Sequence, residues 1–418
     1  MVKLHNLQLQ KDYFWNTLGT AAYSFIPVVF MIFVTRINGI FVSGIFTFSF
    51  NTSMIFAAVA IFGGRSYQIT DVDEEFKSRD YVVSRIITCF LALFASSMIC
   101  CFLDRKTLYI SVITMIFVLY QISVAISDVF YGILQKSNKL YIAGFSLTLK
   151  TIAGSIVFMI LDIMTKNILL SSLAFVFINI IFTIFYEIEQ IMRLDSIELF
   201  EKKIKDYVNT TYSIIKKTWP LAFFGILNGV FLNVNRYYIQ FFHPKSQGYY
   251  GVLFITTSFL NLLFSTILAP KIVRLTTDFK RKKIAKLKKD VCFISRISIA
   301  LGIMISIVTY FLGIPVLSMI YNLNLNSFRV QLAVIVFVSI FYALSNILFT
   351  VFTIIRKLKS QLFLLISGIF IQLVLGPLFI KPFGINGAVI VYAIGNIFLF
   401  ILTRIFYSLF FKSYEYET

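Results

Sequence analysis

The chain has 418 residues, of which 59% are hydrophobic, 17% aromatic and only 14% charged, with a mean hydropathy of +0.86. Soluble globular chains carry about 25% charged residues, so this composition excludes a soluble enzyme, a disulfide-stapled secreted domain and a disordered chain. A formal net charge of +19 raises nucleic-acid binding, and the distribution of that charge argues against it.

In chain order, apolar runs long enough to cross a hydrocarbon core of about 30 Å fall near 13–35, 40–62, 83–103, 108–129, 142–161, 168–188, 219–242, 250–270, 291–312, 330–352, 360–380 and 387–407. Each is expected to be a helix, because unpaired backbone cannot face lipid and no short alternating barrel strands are present. The first run has no A-x-A-like cleavage site and carries Pro27 in its middle, so it reads as a retained span rather than a signal peptide. The expectation is an all-α polytopic membrane protein of about twelve transmembrane helices.

Most of the 38 basic residues fall in the connections that share a side with the N-terminus, including Lys136, Lys216, Lys217, the run Lys280 to Lys289, Arg356, Lys357 and Lys359. By the positive-inside rule both termini are then cytoplasmic, in a cell membrane. The charge is mostly a topology signal, and a nucleic-acid partner is not expected. The 280–289 run is also able to dock anionic headgroups of membrane lipids. Single cysteines introduced as Ser246→Cys and Asn386→Cys are expected to react with an impermeant thiol reagent from outside intact cells, and Ser137→Cys is not. Labelling of the Ser137→Cys variant would overturn this orientation.

The long polar stretch after the sixth run divides the chain into an N-terminal lobe (1–195), a linker (196–217) and a C-terminal lobe (218–418). Each half starts on the same side and holds an even number of spans, as in parallel repeats. On the first span Asn16, Gly19, Thr20, Tyr23, Ser24 and Pro27 recur at helical spacing on one face. On the seventh, Gly225, Asn228, Gly229, Asn235 and Arg236 do the same, and Asn51, Asn261 and Asn346 extend shorter stripes on other spans. Such stripes also serve as packing seams. Together they suggest a polar cleft between two six-helix lobes.

An ionisable group deep in a span costs at least about 2.5–3.5 kcal/mol, so it faces a cavity or a partner. Lys150 lies in the middle of the fifth span and Arg236 toward the outer end of the seventh; Arg36 and Arg85 flank their spans. Lys150 either holds an anionic group or pairs with a carboxylate such as Asp128. The carboxylates Asp128, Asp162, Glu187 and Glu189 all fall near span ends, so the interior is expected to be cationic and to suit an anionic passenger. His5 and His243 stand far apart and the four cysteines sit in or beside apolar runs, a pattern with no metal-ligand spacing. No cofactor and no catalytic residue is implied.

The segment Gly63-Gly-Arg65-Ser-Tyr-Gln68-Ile-Thr-Asp71 with Tyr81 and Arg85 resembles the loop after the second helix in polysaccharide-transport flippases of the multidrug/oligosaccharidyl-lipid/polysaccharide (MOP) superfamily. Asp128-Val-Phe-Tyr-Gly132-Ile-Leu-Gln135 resembles their fourth-to-fifth helix connection, Asn235-Arg236-Tyr with Gly248-Tyr-Tyr-Gly251 their seventh helix and its turn, and Pro382-Phe-Gly384-Ile-Asn-Gly387 their last outer loop. The resemblance implies a MATE-like fold and translocation of an undecaprenyl-diphosphate-linked oligosaccharide by alternating access, alongside a polysaccharide polymerase and other assembly proteins. Lys150, Arg236, Arg36 and Arg85 would then serve the diphosphate, with Asn16, Thr20, Asn51, Asn228, Asn235, Asn261 and Asn346 lining the cleft. Arg65, Gln68, Asp71, Asp128, Gly132 and Gln135 are its cytoplasmic motif residues. The alternatives are an ion-driven multidrug exporter and a membrane enzyme of polysaccharide assembly; an enzyme is disfavoured because it would be expected to carry a substantial outer loop with acid, base or metal groups, whereas the longest outer segment, about 313–329, contains one ionisable residue, Arg329.

Overall fold

The computed structural model describes residues 2–71, 75–102, 108–194 and 204–417. The helices are α1 (Val2–Asn38), α2 (Ile40–Ile61), α3 (Gly64–Thr70), α4 (Ser78–Phe102), α5 (Leu108–Lys136), α6 (Leu140–Thr165), α7 (Ile168–Ile181) and α8 (Ile188–Met192). They continue as α9 (Ile204–Phe242), α10 (Gln247–Lys280), α11 (Ile284–Val308), α12 (Ile314–Tyr321), α13 (Arg329–Ile354) and α14 (Leu358–Glu417). A π-helical turn, Phe182–Glu187, joins α7 to α8, and a second, Thr309–Gly313, joins α11 to α12.

Among the described residues, ten helical segments are long and apolar enough to cross a membrane. The twelve runs of the sequence reading all fall on helices. The tenth segment carries two of them, because α14 is broken at Gly384, whose φ of 52° and ψ of −124° lie outside the helical region. A glycine there is required, since a Cβ strains a backbone at positive φ. The seventh run lies on α9, which starts well before it. Of the expected linker, residues 196–203 lie outside the described residues and 204–217 are the opening turns of α9.

Large apolar side chains point outward along these helices, among them Phe90, Phe94, Phe177, Phe311 and Phe370. In water such a surface aggregates; against lipid tails it is the natural solvent face. The protein is a multi-pass, all-α membrane protein.

The chain divides into two compact units, Met1–Gly229 and Val230–Thr418, and the division falls inside α9. In the first unit α1 lies along α6 with backbones in close approach at Gly19 and Gly144. Its core is aromatic, with Phe30 stacked on Phe158 at 3.9 Å and Phe46, Phe50, Phe117, Tyr120 and Phe175 around them. The first part of α9 belongs here because Gly225 and Gly229 face Ala58 and Ile55 of α2. The rest of α9 belongs to the second unit, where Phe231 stacks near Tyr342 of α13 and packs on Gly368 of α14. Leu260, Phe264, Val336 and Ala343 fill the space between α10 and α13.

Candidate functional site

In the first unit the charged motif residues converge on α5. The chain turns sharply after α2 through Phe62 and Gly63, both in the left-handed region, where a glycine bears no Cβ penalty. That turn lays α3 across α5. Arg65 Nη1 then lies 3.5 Å from Asp128 Oδ1, and Arg65 Nη2 donates to Gln135 Oε1 at 3.0 Å. Arg85, 3% exposed at its side chain, reaches the other carboxylate oxygen of Asp128 at 3.1 Å and donates to the Ala60 carbonyl at 3.2 Å. Gln68 donates to the Val129 carbonyl at 3.3 Å and sits directly over Gly132, where any Cβ would collide with its amide.

Asp71 closes the outer end of this cluster. Tyr81 donates to its carboxylate at 2.8 Å, as do the backbone N–H groups of Glu75 and Phe76, while Lys136 holds its carbonyl oxygen at 2.9 Å. Partial burial pulls the Asp71 carboxyl up; the hydrogen bonds from Tyr81 and the two backbone amides, with the charge of Lys136, outweigh it and hold the group below its ordinary range. Arg65, Gln68, Asp71, Asp128, Gly132 and Gln135, read from sequence as motif residues, thus lie along α5 in three neighbouring sets of contacts: Arg65 with Asp128 and Gln135, Gln68 over Gly132, and Asp71 with Lys136.

A second cluster joins α5 to α6 and the π-helical turn. Lys150 and Glu187, each 1% exposed, form an ion pair at 2.9 Å. Ser127 accepts from Lys150 at 2.6 Å, and Ser146 and Tyr131 donate to the same Glu187 oxygen at 2.6 and 2.7 Å. Glu187 Oε2 has no partner. The π-helical turn ends at Glu187, and such turns are frequent at functional sites. The Tyr131 ring links the two clusters, with Lys150 Nζ 5.4 Å and Arg65 Cζ 6.0 Å from its centroid. Arg65, Arg85 and Lys150 against Asp128 and Glu187 leave the linked network one positive charge in excess.

Two sequence expectations are corrected here. Lys150 pairs with Glu187 and not with Asp128, which is taken by the two arginines. The interior is also not free of carboxylates: the helical segment continues past 188 to Met192, so Glu187 lies within it instead of at its end. The signal in sequence was Lys150 itself, a cation too deep to stand alone.

In the second unit Arg236 is buried at 7% exposure, with its guanidinium 5.7 Å from the centroid of Tyr250. Among the described residues its Nε and Nη1 have no hydrogen-bond partner, and neither do Asn235 Oδ1 nor the amide atoms of Gln247, both residues being buried at 2% and 1%. The only acidic residues from Val230 onward are Asp278, Asp290, Glu415 and Glu417. Asp278 and Asp290 are engaged by Lys286 and Arg274 at the α10–α11 connection. Gln372 and Asn396 also hold unpartnered buried amide atoms. Gln247, Tyr250, Gln372 and Asn396 escaped sequence reading because single polar residues in apolar runs do not announce their depth.

The remaining predicted positions are dispersed. Arg36 is exposed at the end of α1, Thr20 is exposed, and Asn16, Asn51, Asn228, Asn261 and Asn346 are half-buried. Asn51 donates to the Thr47 carbonyl of its own helix at 2.8 Å. Part of each stripe is a packing seam, with Gly19 against Gly144 and Gly225 and Gly229 against α2.

The sequence matches no protein-family model and no curated protein. Among solved structures the chain is similar to a multidrug-resistance MATE transporter of the MOP superfamily in its inward-facing conformation, with a TM-score of 0.66, 14% identity and 95% and 96% of the two chains covered. It is similar to the lipid II flippase MurJ in an inward closed conformation, with a TM-score of 0.67, 14% identity and coverage of 95% and 86%. A MOP superfamily transporter from Pyrococcus furiosus, described by the reverse polarity of its binding pocket, aligns with a TM-score of 0.51 at 14% identity over 98% and 92%. The chain has the MOP superfamily fold.

Proposed function

We propose that the protein is a flippase that moves an undecaprenyl-diphosphate-linked oligosaccharide, the repeat unit of a capsular or other cell-wall-linked polysaccharide, across the cytoplasmic membrane by alternating access. The observation that carries this reading is Arg236, a buried guanidinium with two nitrogens, Nε and Nη1, unpartnered among the described residues, in a unit whose few carboxylates all lie elsewhere in its sequence. An unpaired buried charge costs several kcal/mol, and an arriving phosphate oxygen offsets that cost through charge-assisted hydrogen bonds to the planar guanidinium. Asn235 and Gln247 supply further hydrogen-bonding groups beside it. Lys150 is already neutralised by Glu187, so the diphosphate is assigned first to Arg236. One relative in fold is itself named a lipid II flippase. A polysaccharide polymerase and other assembly proteins would take up the product outside.

A second reading has an observation of its own. Glu187 is a buried carboxylate with one free oxygen inside a membrane span, the type of group an ion-driven exporter uses for its coupling ion. The MATE structures of this fold are named as multidrug transporters.

The experiment is complementation of a deletion strain, read as surface glycan per unit of membrane-inserted protein. Arg236→Gln is expected to lose about tenfold or more of export, the equivalent of at least 1.4 kcal/mol, and Arg236→Lys to retain part. Unchanged surface glycan with Arg236→Gln would sink the flippase reading. Intact glycan in the deletion strain itself, with raised drug sensitivity, would replace it by the exporter.

A further inference from the structure

A groove in the second unit shares no residue with the Arg236 site, and one of its residues, Lys288, belongs to the basic 280–289 run. It is a cavity of about 470 Å³ lined by Lys288, Cys292, Ser295 and Ile299 of α11, Leu344 and Leu348 of α13, and Phe400, Arg404, Tyr407, Phe411 and Lys412 of α14. That volume falls in the range of ligand pockets, about 300–1,000 Å³.

Its lining is graded along the helices. Lys288, Cys292, Ser295 and Ile299 follow one face of α11 from its first turn inward, and Lys412, Ser408, Arg404 and Phe400 follow one face of α14 from its end inward. The two faces run antiparallel, as the 5.3 Å approach of Lys288 Nζ to the Phe411 ring shows. Lys288 and Lys412 therefore lie toward the end of the unit that carries the α10–α11 connection, Arg404 starts roughly 12 Å deeper along α14 and reaches back over the Tyr407 ring, and Ile299, Leu344, Leu348 and Phe400 lie deeper. From Lys288 to Ile299 is eleven residues, roughly 16 Å at 1.5 Å per residue, about half the thickness of a hydrocarbon core.

Among the described residues no carboxylate lines the groove. The nearest in sequence, Asp290, is bound at 2.9 Å by Arg274 of α10. Arg404 and Lys288 are held over the rings of Tyr407 and Phe411, each at 5.3 Å, an arrangement that orders cations on apolar supports. Basic at the interface and apolar over one leaflet's depth, the groove has the polarity of one lipid standing in its own leaflet.

We propose that this groove is a binding site for an anionic glycerophospholipid, its phosphodiester held by Lys288, Arg404 and Lys412 and an acyl chain lying along Ile299, Leu344, Leu348 and Phe400. The site is independent of the passenger that the protein carries. Cys292, exposed between the basic and apolar ends, reports its occupancy.

The test uses the full-length protein in nanodiscs of phosphatidylglycerol or phosphatidylcholine, with N-ethylmaleimide labelling of Cys292 mapped by mass spectrometry, and phosphatidylglycerol retention read by native mass spectrometry. Phosphatidylglycerol is expected to be retained and to slow Cys292 labelling, and phosphatidylcholine is not. Each basic residue near an anionic headgroup contributes on the order of 1 kcal/mol, about fivefold in affinity, so Lys288→Gln with Arg404→Gln should weaken retention by about 25-fold. Lys412→Gln alone, at an exposed position near the chain end, should weaken it by about fivefold without touching the helix packing. Equal protection by both lipids, or full retention in these variants, would overturn the proposal. Displacement by soluble glycerol phosphate would make the groove a site for a free anion, and displacement by trace polyprenyl phosphate a site for a carrier lipid; either result would also overturn it.

Discussion

Lys150→Ala is expected to lower the unfolding stability of the purified protein by about 3–5 kcal/mol, the cost of leaving one charge of a buried pair alone. Glu187 would lose its ionic partner Lys150 and keep the hydrogen bonds from Ser146 and Tyr131. Glu187→Ala should cost a similar amount, because the ammonium would be left with Ser127 and the face of Tyr131. The double variant Lys150→Met with Glu187→Leu removes both charges at once and should recover most of the loss, since apolar replacements of a whole buried pair are often neutral. Thermal unfolding in one detergent, taken as a double-mutant cycle, reads this directly. Additive single losses would mean that the two charges do not act as a pair. Lys150→Arg should fold better than Lys150→Ala, with some loss because the guanidinium fork does not match the single oxygen that the ammonium holds.

The second large effect is steric. A Cβ on Gly144 would stand 2.4 Å from the backbone nitrogen of Asn16 and 2.6 Å from the Trp15 carbonyl oxygen, and one on Gly19 would stand 2.7 Å from the Gly144 carbonyl. Neither contact has a flexible side chain able to yield. Gly144→Ala must therefore push α1 off α6, at about 1–3 kcal/mol for an overpacked seam. Gly225→Ala is the control, since its Cβ would meet Ala58 at an ordinary 3.6 Å; it should stay within about 0.5 kcal/mol of the parent. If both variants melt alike, the α1–α6 approach does not depend on glycine.

Helix identity was readable from sequence because lipid leaves a spanning backbone so few choices, whereas Arg65, Gln68 and Asp128 were taken as motif residues only through a resemblance, in two separate motifs, without the contact between Arg65 and Asp128. Other features were not readable. The start of α9 is amphipathic, with Tyr207 and Ile214 buried and Lys216 and Lys217 outward, so its mean hydropathy hides the helix that its periodicity carries. The expected outer loop around Pro382 is a kink within α14, because Gly384 alone takes the non-helical angles and His243 Nε2 lies 3.0 Å from each of the Ile380 and Lys381 carbonyls beside it. Glycine and asparagine stripes give the face of a helix but not its neighbour, and Gly19 and Gly225 proved to face other helices. Glu187 was misplaced for want of one further helical turn.

The division of the chain inside α9 has a consequence for synthesis. A ribosome that has released residues up to the polar stretch near 200 has delivered six spans, yet Ala58 and Ile55 of α2 still lack the glycine face of α9 that covers them. The first unit is thus completed only when Gly229 has emerged, and Phe231, two residues later on the same helix, packs on α13 and α14, which have not yet been made. A chain cut at 217 and expressed as two pieces would therefore yield a first piece with an open seam on α2, whereas a break placed in sequence after Phe242 would leave it sealed.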